Sequence, residues 1–200
     1  MKNKFIYVIR NTRLLLICAL LVSCSTGKVK ENTDDVSEAQ KIINIDSDIK
    51  DQFDLAVSYL KSADYDKAIT LLEKLIEVEK RVPAPYVNLS IAYEYKGDKE
   101  KAEKYLLKAV SIDLAHPVAN NRLGHLYRRQ GKFDDARKAY TNALTKHPDY
   151  LPVIKNLGIL CDMYLRDLEC ALQQFEHYQE LKPDDKTMKI WISDLSQRMN

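Results

Sequence analysis

The chain has 200 residues, 46% of them hydrophobic and 30% charged, with a formal net charge of +2 and only five glycines. That composition suits a packed globular domain and excludes a low-complexity chain. No basic tract marks a nucleic-acid surface, and no apolar run reaches the about 20 residues that a spanning helix needs.

The first 23 residues stand apart from the rest. Lys2, Lys4, Arg10 and Arg13 form a basic stretch, 14–22 an apolar one, and small Ser23 ends it. This is the layout of an export signal. Leu21-Val22-Ser23-Cys24 resembles the lipobox of bacterial lipoprotein signal peptides. The resemblance implies cleavage before Cys24 and acylation of that cysteine, hence a lipid anchor and no membrane span. By likeness to lipoproteins of enteric bacteria, Ser25 implies the outer membrane, facing the periplasm. The other reading is an ordinary signal peptide with a chance cysteine. Removing residues 1–23 leaves 27 basic and 29 acidic residues, so the mature chain is slightly acidic.

Residues 24–48 read as the lipidated cysteine and a tether, polar and mixed in charge over 25–35. Ser37 and Gln40 have capping-box spacing, and Val36, Ala39, Ile42 and Ile43 share a face, which predicts a short helix there.

From Ile49 a pattern returns every 34 residues. Leu123, Gly124, Tyr127, Gly131, Ala136, Tyr140, Ala143 and Pro148 carry it most completely. Leu89, Ser90, Tyr93, Gly97, Ala102, Leu106 and Ala109 precede them in phase, and Leu55, Ala56, Tyr59, Ala63, Ala68, Leu72 and Leu75 come before those. Leu157, Gly158, Ala171, Phe175 and Pro183 continue it, with one extra residue between the helices. The pattern resembles the tetratricopeptide repeat, with Asn120 where the consensus has Trp. The likeness spans 49–183 and implies an all-α solenoid of four helix-turn-helix repeats at 49–82, 83–116, 117–150 and 151–183. Its first helices are predicted near 50–61, 84–95, 118–129 and 152–164, and its second near 66–79, 99–111, 134–145 and 169–181. Gly124 and Gly158, matched by Ala56 and Ser90, are expected to let paired helices cross closely, against Ala68, Ala102, Ala136 and Ala171.

Residues 184–200 place Met188, Trp191, Ile192, Leu195 and Met199 on one helical stripe, which predicts a capping helix for the end of the array. Trp191 reads as core, with a ligand platform as the other reading.

No G-x-S-x-G, H-E-x-x-H, phosphate-binding or dinucleotide loop is present, so no catalytic residue, metal or cofactor is expected. The four histidines are scattered, and His116 and His147 sit in equivalent turns that suggest local capping. Cys161 and Cys170 are the only thiols of the mature chain besides Cys24, and an oxidising compartment raises the question of pairing. They are a candidate disulfide. The other reading makes Cys161 a small buried hydrophobe and lets Cys170 point outward.

Tetratricopeptide proteins line a concave groove with the first helix of each repeat. That resemblance, with the helical wheel, assigns to the groove Phe53, Val57, Val87, Asn88, Ile91, Tyr95, Asn121, Arg122, His125, Arg128, Arg129 and Lys155. The groove reads as apolar in its first half and basic at the third repeat, which suits an acidic segment; the other reading is a solvated face. One subfamily binds acidic C-terminal tails through a two-carboxylate clamp. Of its matching positions, Phe53, Val57, Asn88, Val118 and Arg122, only Asn88 and Arg122 keep the required type, so that activity is not implied.

In layout the chain resembles the tetratricopeptide pilotin lipoproteins of type IV pili and those that scaffold peptidoglycan hydrolases. Either implies a lipid-anchored adaptor or assembly factor that binds protein segments. The alternative is a small-ligand or lipid-binding solenoid, which requires a closed apolar pocket of roughly 300 Å³ or more.

Overall fold

The computed structural model describes residues 33–200, with side chains from residue 47. Cys24 and the export signal lie outside the described residues. Residues 40–200 form one compact unit, and the other, 1–39, falls almost wholly outside them.

Nine α-helices make up nearly all of the described residues, with no strand among them. They are α1 (Thr33–Lys61), α2 (Tyr65–Val78), α3 (Pro83–Tyr95), α4 (Lys99–Ile112), α5 (Pro117–Arg129), α6 (Phe133–Lys146), α7 (Leu151–Leu160), α8 (Leu168–Leu181) and α9 (Lys186–Met199). Successive pairs form hairpins. The second helix of each hairpin packs on the first helix of the next, and α9 packs on α8 at the end.

The turn inside each hairpin has one chemistry. Ala63 (φ 60), Gly97 (φ 84), Gly131 (φ 76) and Arg166 (φ 54) take the left-handed conformation that closes a helix. In the first three, the next N–H donates five residues back: Asp64 to Tyr59, Asp98 to Tyr93 and Lys132 to Tyr127, each at 2.9 Å. In the fourth, Asp167 donates six residues back, to Cys161 O at 2.9 Å. The extra residue is absorbed there by a π-helical turn, Cys161–Leu165, so α7 ends at Leu160 and not near 164. Pro83 and Pro117 open α3 and α5 where a missing N–H is harmless.

The small residues act through the aromatic rings of the partner helix, more than through the facing alanines. A Cβ on Gly124 would stand 2.5 Å from the Tyr140 ring, and one on Gly158 would stand 2.3 Å from the Phe175 ring. In register with these pairs, the first two repeats match Ala56 to Leu72 and Ser90 to Leu106, all buried. The larger ring takes the smaller partner. Asn120, fully buried in the consensus Trp position, donates through Nδ2 to Leu114 O (2.8 Å) and His116 O (3.1 Å). It ties the loop before α5 to the helix.

One expectation is corrected at the first helix. Residues 33–48, read as tether with a short helix, belong to the unbroken α1. No glycine or proline stands between Gly27 and Pro83, so nothing in the chain stops the helix.

Candidate protein-binding groove and its C-terminal cleft

Positions spaced 34 residues apart on the first helices, Val57, Ile91, His125 and Ile159, are all half-buried and mark one face of the solenoid. At its middle, Arg122 Nη1 stands 3.0 Å from Glu94 Oε2, and Arg129 Nη1 stands 4.0 Å from Glu94 Oε1. Asn156 Nδ2 donates to Asn121 Oδ1 at 2.8 Å across α5 and α7. These side chains, with Val118, His125, Tyr150 and Pro152, line a cavity of ≈ 340 Å³ that is open to solvent. Burial and then the Arg128 guanidinium pull the His125 pKa below its usual value, so the imidazole is neutral at pH 7.

The expected basic strip is therefore corrected to a mixed cluster in which Glu94 holds two of the arginines. Arg128 turns away from the cluster: its guanidinium lies 5.6 Å from the Tyr164 ring, and its Nη1 is buried without a partner. Lys155 points toward the end of the array, its ammonium 5.3 Å from the Trp191 ring centre.

Two further assignments move. Val87 is buried in the core with Leu106 and Leu123 and presents no groove surface. Tyr95, 68% exposed, stacks on Tyr65 at 5.1 Å, at the start of α2. Phe53 lines an apolar cavity of ≈ 320 Å³ with Ile49, Leu75, Val82 and Pro85, which keeps the first repeat apolar as expected. Asn88 is half-buried.

The largest cavity, ≈ 720 Å³, lies where α7, its π-turn, α8 and α9 meet. Ile159, Met163, Leu168, Phe175 and Trp191 give it apolar walls, with Asp162, Arg166, Asp194 and Arg198 among them. Arg198 holds both acids, Asp162 at 2.6 Å and Asp194 at 3.1 Å. Trp191 is half-buried against Phe175, at 5.5 Å between ring centres. It thus joins the core and lines the cleft at once, while Met199 leaves the stripe and is exposed. Met163, Arg166 and Arg198 were missed from sequence, because only the π-turn brings them beside Ile159.

Behind the cleft, Cys161 and Cys170 are joined by a disulfide, with Cα atoms 5.8 Å apart. Asp167 lies beside them, the one cysteine and acid cluster of metal-binding type among the described residues. Its donors are committed: the sulfurs to each other, and Asp167 to the Cys170 N–H (3.1 Å) and Arg137 (2.8 Å). Those two contacts, the N–H first, hold its carboxyl below the usual range. His116 caps α5, its Nδ1 accepting from Ala119 N–H at 3.2 Å. No helix of the described residues is long and apolar enough to cross a membrane.

Three segments, 52–78, 84–116 and 117–150, match profiles described as tetratricopeptide repeat. This chain is a tetratricopeptide-repeat solenoid. The hairpin α7–α8 lies outside the matched segments, and it is the one that carries the inserted residue and the π-turn. Solved structures share the fold. Pseudomonas aeruginosa PilF superposes with a TM-score of 0.67 at 19% identity, over 77% of this chain and 70% of that one. MamA of Desulfovibrio magneticus RS-1 gives 0.62 at 18%, over 76% and 85%. A tetratricopeptide repeat protein of Parabacteroides merdae gives 0.64 at 17%, over 74% and 58%. Identities this low establish the fold alone. No curated protein matches the sequence. Tetratricopeptide solenoids are in general protein-interaction scaffolds, and a protein partner follows from the fold.

Proposed function

We propose that this solenoid is a lipid-anchored periplasmic adaptor or assembly factor, binding segments of partner proteins along the face built by α1, α3, α5 and α7. The observation that carries the binding half is the run of equivalent positions Val57, Ile91, His125 and Ile159, with the Glu94–Arg122–Arg129 cluster and the Asn121–Asn156 pair at its centre. A series of open, part-polar, part-apolar subsites suits an extended chain better than an enclosed small molecule. The lipobox-like Leu21-Val22-Ser23-Cys24 supports the anchor, and Ser25 supports the outer membrane.

Two experiments test the two halves. Cys24→Ala should abolish metabolic labelling with fatty acid and leave precursor uncleaved; undiminished labelling would contradict the anchor. For the groove, the partner is captured from crosslinked cells, identified by mass spectrometry and titrated against purified variants. Arg129→Glu, at an exposed position, should weaken it by about fivefold to tenfold at low salt with helicity intact. The loss should shrink as salt rises, since exposed charges are screened within about 8–10 Å at physiological ionic strength. Equal affinity in both conditions would return this face to solvent. Arg128→Glu should instead lower stability, because it would place a carboxylate where a half-buried guanidinium packs on Tyr164.

A further inference from the structure

We propose that the cleft between α7, the π-turn and α9 is a terminal anchor subsite. It would take one large apolar side chain of the partner segment, with an acidic residue beside it. The inference rests on the groove-binding reading and adds to it a position and a chemistry.

The cleft is continuous with the groove. Lys155, Ile159 and Asp162 follow one another at i, i+4 and i+7 on a single face that runs from the last groove position into the cleft. A segment lying along the groove therefore reaches it without turning. The inner end is apolar and stiff, with Phe175 at 1% exposure and Trp191 against it at 5.5 Å. The outer end is adaptable: Met163 stands 69% exposed beside the opening, a flexible thioether able to close over an inserted side chain. At ≈ 720 Å³ the cleft has room for a large side chain with the backbone that carries it.

Charge selects the neighbour. Asp162 and Asp194 are both held by Arg198, which leaves Arg166 without an ion pair among the described residues and Lys155 engaged only with the Trp191 ring. The free cationic capacity calls for a carboxylate. A bare acyl chain fits less well, because it would cover Asp162, Asp194 and Arg198 without returning a hydrogen bond. A peptide brings both polar backbone and acid.

The test uses the chain's single tryptophan, Trp191, as a built-in reporter. Random peptides displayed on phage are selected on the whole mature protein, and the enriched ones are synthesised and titrated by Trp191 emission. The expected motif is an aromatic or large aliphatic residue adjacent to Asp or Glu. Its binding should shift the emission and weaken by about tenfold in Met163→Glu, whose position is exposed enough to leave folding intact. Arg166→Glu should cost the acidic peptides more than their neutral counterparts. Peptides that bind without moving the emission, and that lose affinity in Arg129→Glu but not in Met163→Glu, would overturn the subsite and leave the groove reading standing. A selection that enriches nothing would overturn both. Laurate that shifts the emission where enriched peptides do not would make the cleft a small-amphiphile site and overturn the peptide assignment.

Discussion

Gly158→Ala should destabilise the protein by about 2 kcal/mol, although alanine is the better helix former by about 1 kcal/mol. The new Cβ would stand 2.3 Å from Cε1 and 2.6 Å from Cδ1 of Phe175, closer than packed carbons come. The ring has nowhere to retreat, being 1% exposed and backed by Trp191. Interiors packed at crystal-like density turn such an overlap into rotamer strain and helix displacement. For a chain of this size the melting temperature should fall by roughly 4–8 °C. Phe175→Leu in the same chain should return part of the loss, since it recreates the Ala56–Leu72 pairing of the first repeat. Thermal or urea unfolding of the two single variants and the double variant measures this. A Gly158→Ala protein more stable than wild type would show that the ring does not lie where the structure places it.

Loss of the Cys161–Cys170 disulfide should cost a comparable or larger amount, about 2.5–3 kcal/mol in the chain-entropy view of a loop this short. The two cysteines are nine residues apart in sequence and close the hairpin whose turn is irregular. Arg166 sits there in the left-handed conformation where Gly97 and Gly131 stand in earlier turns, and L residues other than glycine adopt it at a cost of about 1–2 kcal/mol. The crosslink holds that turn closed. Urea titrations of wild type with and without reductant, and of Cys161→Ser/Cys170→Ser, should give a lower midpoint for both thiol-free forms. Alkylation of both thiols in unreduced periplasmic protein, read by intact mass, would contradict the bond.

The array was legible in sequence because its phase is written in small and large residues. Gly124, Gly158, Tyr140 and Phe175 recur at fixed offsets, and helix periodicity needs no long-range information. What escaped depends on three dimensions. Asn120 in a Trp position gives no hint that its amide would bridge two carbonyls. A helical wheel puts Arg128 and Arg129 on neighbouring spokes, yet one is held beside Tyr164 and the other lies near Glu94. Val87 falls on the groove side of the wheel and is nevertheless core, because α5 packs over it. The cleft was invisible for a different reason: one inserted residue becomes a π-turn, and that turn brings Met163 and Arg166 to its wall.

The claim that the first helices form the working face is tested most directly by a photocrosslinking scan in intact cells. A photoreactive residue is placed in turn at the equivalent positions Val57, Ile91, His125 and Ile159, and at the exposed positions Lys74, Lys108 and Gln173 on α2, α4 and α8. The expected result is one partner protein crosslinked from the first set, with little or no adduct from the second. Adducts confined to Lys74, Lys108 and Gln173 would contradict it.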